Sequence, residues 1–409
     1  MDENSRYVVG IDVGTENVRA AVASVGKDGQ LTVVGYNESK NSGMRKGVVA
    51  SLTGPSESVD RMLGEVERMC GFDIHSAFVS INGAQILTTR VQGMIAMGAL
   101  DHEINFDDLS RVEKTATSGR LSANREVLGI IPLEYVLDDQ GGVKDPVGMT
   151  GSRLEMKASV ISTLIPNCDN LRKAMEGAKV NAESLIPSVV ASARAVLSEK
   201  QRENGVAVID LGAATTSVAI YEEGDLQYVG VVPAGSNNIT NDLAIMLEID
   251  TDVAEEIKRR YVSGSFNLEK DIVIKVGRDE MTFARDQVDE VVKARLAEIF
   301  DKVKKELKHA GYERRLPEGV VMVGGGARMK DIDVFAKQIL EASVKIGAPR
   351  NLGGVANAVE KPEYAAAVGL MILASESEQQ LGGRLFGKDH ISKQGAGGIL
   401  GKILGKFKL

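Results

Sequence analysis

The chain has 409 residues, 43% of them hydrophobic, and is longer than one hydrophobic core usually serves. Two or more lobes are therefore expected. Charged residues make up 26% and the net charge is -8, which argues against broad electrostatic attraction to nucleic acid, so no nucleic-acid partner is predicted. The two cysteines have no partners at metal-ligand spacing, the four histidines are scattered, and residues 1–10 lack a basic and then apolar leader. These features predict a reduced, cytoplasmic protein without a structural metal or a Ser/His/Asp site.

Two stretches of the chain share one order of predicted strands. Residues 7–14 (YVVGIDVG) form an apolar, β-branched run that ends in Asp and Gly, followed by the strand patterns VRAAVASV and LTVVGYN. Residues 205–213 (GVAVIDLGA) repeat this run and are followed by TSVAIYEEGDLQYVGVVPAG, in which EEGD supplies a turn. The chain is thus predicted to contain one unit twice.

Helical patterns lie between and after these strands, with apolar residues three and four apart at 56–69, 167–178 and 286–309. Strand groups followed by helices indicate a mixed α/β fold. Residues 84–162 interrupt this order with their own strands and a helix near 107–118, which predicts an inserted small α+β subdomain. After Ser375 the composition turns to Gly, Ser, Gln and Lys, so a flexible linker is predicted for 376–398.

Each repeated unit ends its first strand with an acidic residue and a glycine, in Asp12-Val13-Gly14-Thr15 and in Asp210-Leu211-Gly212-Ala213. A carboxylate at a strand end can hold a hydrated magnesium ion, and the turn after it can point N–H groups and a hydroxyl at phosphate oxygens. A single Asp-x-Gly is usually only a turn that ends a strand. Its repetition in matched contexts favours two facing turns that bind one polyphosphate.

A third element lies at 320–328 (VVMVGGGAR), where an apolar run leads into three glycines whose missing Cβ atoms would let a flat ring lie against the backbone. Together the three elements resemble the phosphate-1, phosphate-2 and adenosine motifs of the actin, sugar kinase and Hsp70 superfamily. The resemblance implies duplicated actin-like (ribonuclease H-like) α/β domains that flank a nucleotide cleft. It also implies ATP or ADP with Mg²⁺ as the ligand, the ion lying near Asp12 and Asp210.

The superfamily resemblance also suggests which residues bind the nucleotide. Phosphate and magnesium binding is expected at Asp12, Gly14, Thr15, Glu16, Asn17, Asp210, Gly212, Ala213, Thr215 and Gly235. Adenosine binding is expected at Glu255, Lys258, Gly324, Gly325, Gly326 and Arg328. For Glu255 and Lys258, a solvated ion pair at i and i+3 is an equally good interpretation.

Two departures from the superfamily pattern affect the expected chemistry. The second turn reads GAAT where many relatives have GGGT, so two methyl groups lie where backbone must approach phosphate, and binding is expected to be looser or differently posed. Ser188 stands where actins and MreB-like relatives place a Gln or Glu that orients the attacking water. We therefore expect an ATPase that is slow at most, and no catalytic residue is assigned.

Four further stretches resemble the bacterial cell-division family FtsA: NSGMRKGVV (41–49), FVSINGAQI (78–86), IPLEYVLDDQGGVKDPVGMTGSRLE (131–155) and PEYAAAVGL (362–370). The resemblance covers residues 5–375. It implies subdomain 1A at 1–83, 163–202 and 345–375, the inserted subdomain 1C at 84–162, subdomain 2A at 203–245 and 311–344, and subdomain 2B at 246–310. Implied partners are the FtsZ C-terminal peptide, received by 246–310, further copies of the chain in a filament, and later division proteins.

The segment 399–409 is predicted to form an amphipathic membrane-targeting helix. With about 100° per residue, its apolar residues cover an arc of roughly 140°, and the lysines lie on the opposite arc or at its border. Its expected membrane-binding residues are Ile399, Leu400, Lys402, Ile403, Leu404, Lys406, Phe407 and Lys408. Such a helix is too short to span a bilayer and would lie in an anionic lipid surface. Docking on the protein's own surface or on a partner is the alternative.

Together with this helix, the resemblance to FtsA implies a peripheral protein on the cytoplasmic face of the cell membrane at the division site, which polymerises and tethers FtsZ filaments there. One weak helix binds reversibly, so firm attachment would need several linked copies. Two alternatives remain: a pilus-assembly adaptor of the same superfamily, and a small-molecule kinase. A chaperone of the Hsp70 type would need a β-rich domain after the nucleotide domain.

Overall fold

The computed structural model describes residues 6–26, 28–98, 101–263, 271–276, 279–313 and 315–385. Up to residue 204 its elements are, in chain order, β1 (Arg6–Val13), β2 (Asn17–Val25), β3 (Leu31–Lys40), β4 (Met44–Arg45), β5 (Val48–Val49), α1 (Thr53–Cys70), β6 (Ser76–Ile81), β7 (Leu87–Ala96), α2 (Phe106–Thr117), β8 (Arg125–Leu137), β9 (Gln140–Val143), β10 (Arg153–Leu164), α3 (Ile165–Gly177), β11 (Asn181–Pro187), α4 (Ser188–Val196) and α5 (Glu199–Asn204).

The later elements are β12 (Val206–Leu211), β13 (Thr216–Glu222), β14 (Asp225–Val232), α6 (Ser236–Met246), α7 (Thr251–Ser263), β15 (Ile272–Val276), β16 (Asp279–Phe283), α8 (Arg285–His309), β17 (Val320–Val323), α9 (Ile332–Leu340), β18 (Val344–Ile346), β19 (Gly353–Gly354) and α10 (Ala365–Leu385). Short 3₁₀ segments occur at Gly325–Arg328, Ala356–Ala358 and Pro362–Tyr364.

Two large sheets are built on the same plan. The first has the order β11-β6-β1-β2-β3-β19 and the second the order β14-β13-β12-β17-β18. In the first sheet, β1 pairs antiparallel with β2 and parallel with β6. In the second, β12 pairs antiparallel with β13 and parallel with β17. The prediction that the chain contains one unit twice is confirmed by this shared topology.

The helices α4 and α10 lie in the hydrophobic layer that joins the two sheets. The largest buried cluster includes residues of both helices together with Val79 of the first sheet and Val208 of the second. The two helices can approach closely because Gly369 of α10 has no Cβ. A Cβ at this position would overlap the carbonyl group of Ala191 in α4. The two halves therefore share one packed core layer beneath the cleft between them.

The insert forms a separate four-stranded sheet with the order β7-β10-β8-β9, and α2 packs against it. It has its own buried cluster, which includes Val112, Leu154 and Met156. The helix α2 begins with a capping box, in which the Asn105 side chain accepts from the N–H of Asp108, consistent with a start near the predicted residue 107. A hydrogen bond from Thr88 Oγ1 to the carbonyl oxygen of Val229, 2.9 Å long, ties the insert to β14.

The predicted helices at 56–69, 167–178 and 286–309 correspond to α1, α3 and α8 within three residues at each end. The predicted start of the linker at 376 is wrong, because α10 continues to Leu385. The residues after Ser375 are polar, but Glu and Gln are good helix formers, and Glu376 pairs with Arg194 of α4. The rest of the predicted linker and the segment 399–409 lie outside the described residues. Across the described part of the chain, no helix is both long and apolar enough to traverse a bilayer.

Candidate nucleotide cleft

The two Asp-x-Gly turns close in the same way. Asp12 and Asp210 are the last residues but one of β1 and β12. After each strand, the N–H of a glycine donates a hydrogen bond to the carbonyl oxygen three residues later. Gly14 N–H donates to Asn17 O at 3.1 Å, and Gly212 N–H donates to Thr215 O at 2.9 Å. Both turns border one cleft of about 770 Å³ between the two halves. The matched strand ends thus bring two carboxylates, two hydroxyls and several backbone N–H groups to one cavity.

Both carboxyl groups have raised pKa values in the cleft. Burial raises the pKa of Asp12, against a 2.7 Å hydrogen bond that its carboxylate accepts from Ser80 Oγ. Burial and the nearby Asp12 raise the pKa of Asp210 to about 7, and the hydroxyl of Ser188 opposes that rise. A cation held by these carboxylates would favour their ionised forms and so lower both pKa values.

The donor set fits a hydrated magnesium ion better than a fully protein-bound metal. Among the described residues, no group of three or more His, Cys, Asp or Glu side chains is placed to hold a metal. Magnesium keeps most of its water and commonly takes one or two carboxylates together with phosphate oxygens, and Asp12 and Asp210 could provide the carboxylates. The cleft therefore suits a magnesium ion that enters with a polyphosphate.

Asn82, at the end of β6, connects the two halves beside the turns. Its Nδ2 donates to Thr215 Oγ1 and to Ser188 Oγ, each at 3.2 Å, and its Oδ1 accepts from Ser217 Oγ at 3.1 Å. Thr215 and Ser217 belong to the second half, whereas Ser188 begins α4. A single amide therefore orients hydroxyls on both sides of the cleft.

The glycine run after β17 leaves an open surface along the cleft. Gly324 has φ 88°, a left-handed conformation that favours glycine, and its N–H donates to Pro362 O at 3.0 Å. A Cβ at Gly325 would meet no atom within 4 Å, so this position leaves room above the backbone. A planar base could lie against such a surface.

Glu255 and Lys258 form an ion pair with 2.6 Å between Oε2 and Nζ, and Lys258 Nζ also donates to Thr240 Oγ1 at 2.9 Å. Lys258 is only 6% exposed and both residues border the cleft. The alternative of a solvated surface pair therefore does not describe Lys258. A nucleotide-binding role for the pair stays a prediction.

The structure gathers nearly all of the predicted site residues. The cleft is bordered by Asp12, Gly14, Thr15, Glu16, Asn17, Asp210, Gly212, Ala213, Thr215, Glu255, Lys258, Gly324, Gly325, Gly326 and Arg328. Gly235 instead lies behind the second turn, where a Cβ would be 2.6 Å from Gly212 O and 2.7 Å from Ala213 O. Its position supports the shape of that turn. The predicted membrane-binding residues 399–408 lie outside the described residues.

Several residues that border the cleft were not predicted as site residues. Asn82 and Gly47 lie in FVSINGAQI and NSGMRKGVV, stretches that served only as marks of family resemblance. Arg19 and Lys40 lie on β2 and β3, at ordinary positions of strand patterns. The pairing of these strands brings them to the cleft, and no local motif indicates it.

Two α/β halves of one topology, with facing carboxylate turns around a shared cleft, define the actin-like class of proteins. Solved structures of this class resemble the chain. A PilM-PilN type IV pilus biogenesis complex matches with a TM-score of 0.66 and 13% identity, over 90% of this chain and 98% of the other. MreB5 of Spiroplasma citri bound to ADP matches with a TM-score of 0.54 and 14% identity, over 94% and 99%. These likenesses show the fold.

Sequence comparison then gives the family. The family model "Cell division protein FtsA" matches residues 207–369, and "SHS2 domain inserted in FTSA" matches residues 83–162. The cell division protein FtsA of Pseudomonas aeruginosa is 35% identical over 92% of this chain and 91% of its own length. The chain belongs to the FtsA family and is an actin-like cell-division protein. The predicted family and the predicted actin-like fold are thereby confirmed.

Proposed function

We propose that the protein binds ATP or ADP with Mg²⁺ in the cleft and tethers FtsZ filaments to the cytoplasmic face of the cell membrane at the division site. The observation that carries nucleotide binding is the pair of matched turns that bring Asp12 and Asp210 to one cavity. The bound ion would neutralise phosphate charge. The turn N–H groups and hydroxyls would orient the phosphates, and the open surface at Gly325 would receive the base.

Hydrolysis is proposed to be slow or absent. Ser188 is buried at the base of the cleft, where its hydroxyl accepts from Asn82 Nδ2 at 3.2 Å. A short hydroxyl held in this way lacks the reach and the carbonyl or carboxylate acceptor of a Gln or Glu side chain. We therefore propose that the nucleotide acts mainly as a structural ligand. Turnover at the rate of an efficient kinase would contradict this proposal.

The membrane and filament roles rest on family membership and on the amphipathic pattern of residues 399–409. We propose that this segment lies in the surface of anionic lipid, with Ile403 and Leu404 in the apolar stripe. We further propose that the chain polymerises, that 246–310 receives the FtsZ C-terminal peptide, and that the insert at 84–162 contributes to filament contacts and to later division proteins. Polymerisation would convert weak single-helix binding into firm attachment.

Flotation with anionic liposomes, MgATP and purified FtsZ tests the tether. The full chain should float and carry FtsZ with it, whereas a truncation that ends at Leu385 should stay at the bottom. Leu385 is preferable to Ser375 as the end point, because a cut at Ser375 would remove the Arg194–Glu376 ion pair between α4 and α10. FtsZ without its C-terminal peptide should stay behind while the full chain floats.

A matched pair of variants tests the helix itself. Ile403→Glu places a charge in the apolar stripe and should abolish flotation, whereas Gly401→Glu adds the same charge on the polar arc and should retain most of it. If both variants float equally, or if the truncation floats like the full chain, the tether proposal fails.

The pilus-assembly alternative is less well supported. The PilM-PilN complex has the higher TM-score of the two structures, yet at 13% identity it shares only the fold. A small-molecule kinase would require transfer of phosphate to a defined acceptor, and the insert matched by the FtsA family model favours the cell-division role.

A further inference from the structure

The first phosphate-type turn is held by the chain segment that follows β3. Asn41 N–H donates to Glu16 O at 2.8 Å, and Asn41 Nδ2 donates to Gly14 O at 2.6 Å. Gly47 N–H donates to Thr15 Oγ1 at 3.2 Å. Three hydrogen bonds from Asn41 and Gly47 thus hold the segment 41–47 against the turn 14–16, and β3 ends directly before this segment.

The strands β2 and β3 present a cross-strand ladder to the cleft. Asn17 pairs with Lys40, and Arg19 pairs with Glu38, in the antiparallel register. Residues two apart on one strand share a face, as do directly opposed residues on paired strands. All four border the cleft. The end of the β2–β3 hairpin therefore forms one polar wall of the cavity.

Of the two cations in this wall, Arg19 and Lys40, only Arg19 forms an ion pair with a described residue. Arg19 Nε lies 2.9 Å from Glu38 Oε2, so this rung is an ion pair. Lys40 faces Asn17, whose neutral amide cannot compensate an ammonium group. The other cations at the cleft are paired with carboxylates: Lys258 and Arg259 with Glu255, and Arg328 with Glu363. Among the described residues that border the cleft, Lys40 is the cation that forms no ion pair.

The backbone at Lys40 is also fixed in place. Arg61 Nη2 donates to Lys40 O at 3.2 Å, and Arg61 Nε donates to Ser39 Oγ at 3.0 Å. The side chain of Lys40 is exposed, so its ammonium can reorient without breaking a contact. A fixed backbone with a mobile, uncompensated ammonium suits a point-charge contact to a phosphate group.

We propose that Lys40 binds the polyphosphate of the nucleotide and is a phosphate-binding residue of this cleft. The inference rests on the proposed nucleotide binding and adds a residue to it. Lys40 adds a positive charge to a cleft that is also bordered by the acidic residues Asp12, Glu16 and Asp210. Without Lys40, every cation among the described residues that border the cleft would already be paired with a carboxylate.

The test compares binding of ATP, ADP and adenosine to the full chain by titration calorimetry or competition. Lys40→Gln should weaken the binding of ATP and ADP about tenfold, or about 1.4 kcal/mol, because it removes a charge-assisted contact to phosphate, and should leave the binding of adenosine unchanged. Lys40→Arg should restore most of the affinity. The difference between wild type and Lys40→Gln should shrink as salt is raised.

Lys46→Gln is the matched control. Lys46 lies in the same segment and is also exposed, but it is not among the described residues that border the cleft. Its variant should bind like the wild type. If the wild type binds no nucleotide, the proposed function itself fails. If the wild type binds and Lys40→Gln binds equally well, or loses adenosine as strongly as ATP, the assignment of Lys40 is overturned.

Discussion

Asp210 should make the binding of magnesium nucleotide depend on pH. Burial and Asp12 raise its pKa from 3.8 to about 7, a difference that corresponds to about 4 kcal/mol against the ionised carboxylate. A magnesium ion favours the ionised form. At pH 6 only about a tenth of Asp210 would be ionised before binding, so the affinity for Mg-ADP should be about tenfold lower than at pH 8, or about 1.4 kcal/mol.

The assay is titration calorimetry with Mg-ADP between pH 6 and pH 8.5. Repeating the titration in EDTA should reverse the direction of the pH dependence. Without a metal, the ionised carboxylates repel the phosphates, so the affinity for ADP should fall as pH rises. The nucleotide phosphate titrates in the same range. Asp210→Asn isolates that contribution, since it keeps the shape of the side chain and removes its charge.

Identical pH profiles for wild type and Asp210→Asn would refute the coupling. Stability provides a second readout in the nucleotide-free protein. A folded-state pKa above 3.8 means that the folded protein holds the proton more tightly than the unfolded chain, so stability should fall as pH rises from about 4 to about 7. Above pH 7, Asp210→Asn should therefore be more stable than the wild type in urea denaturation.

Three further substitutions test the contact between α4 and α10, the contact between the insert and β14, and the support of the second turn. Gly369→Ala should cost about 3 kcal/mol of unfolding free energy, because its methyl group would overlap the carbonyl of Ala191; urea denaturation measures it. Asp225→Asn should cost about 1–2 kcal/mol in the same assay, because the 2.8 Å ion pair with Lys144 is buried on the Asp side but partly exposed on the Lys side. Gly235→Ala should weaken ADP at least about tenfold in calorimetry, since its Cβ would displace the second turn.

Each of these three predictions has a matched control or a result that would contradict it. Gly64→Ala in α1 is the matched control for Gly369→Ala, because a Cβ there meets nothing within 4 Å, and it should stabilise by about 0.5–1 kcal/mol. An unchanged stability of Asp225→Asn would mean that the Lys144 pair contributes nothing. Normal ADP affinity in Gly235→Ala would mean that the second turn tolerates displacement.

Local rules were sufficient for much of the fold. The apolar, β-branched run of β1 and the spacing of apolar residues by three and four in α8 are patterns of neighbouring residues, so the sequence alone predicts both elements. The wrong prediction of a linker start at residue 376 also has a local cause. The polar composition after Ser375 favours a linker, but Glu and Gln are good helix formers, and the Arg194–Glu376 ion pair joins α10 to α4 there.

The sequence by itself determined the repeated Asp-x-Gly turns, the glycine run and the family, because each is a short pattern with a backbone requirement. Only the tertiary structure decided that Asn82 joins the two halves, that Lys258 is buried, and that Lys40 stands uncompensated at the cleft. These properties depend on strand pairing and on contacts between residues as far apart as Asn82 and Thr215. Such contacts form only when the two halves pack together, and no spacing along the chain encodes them.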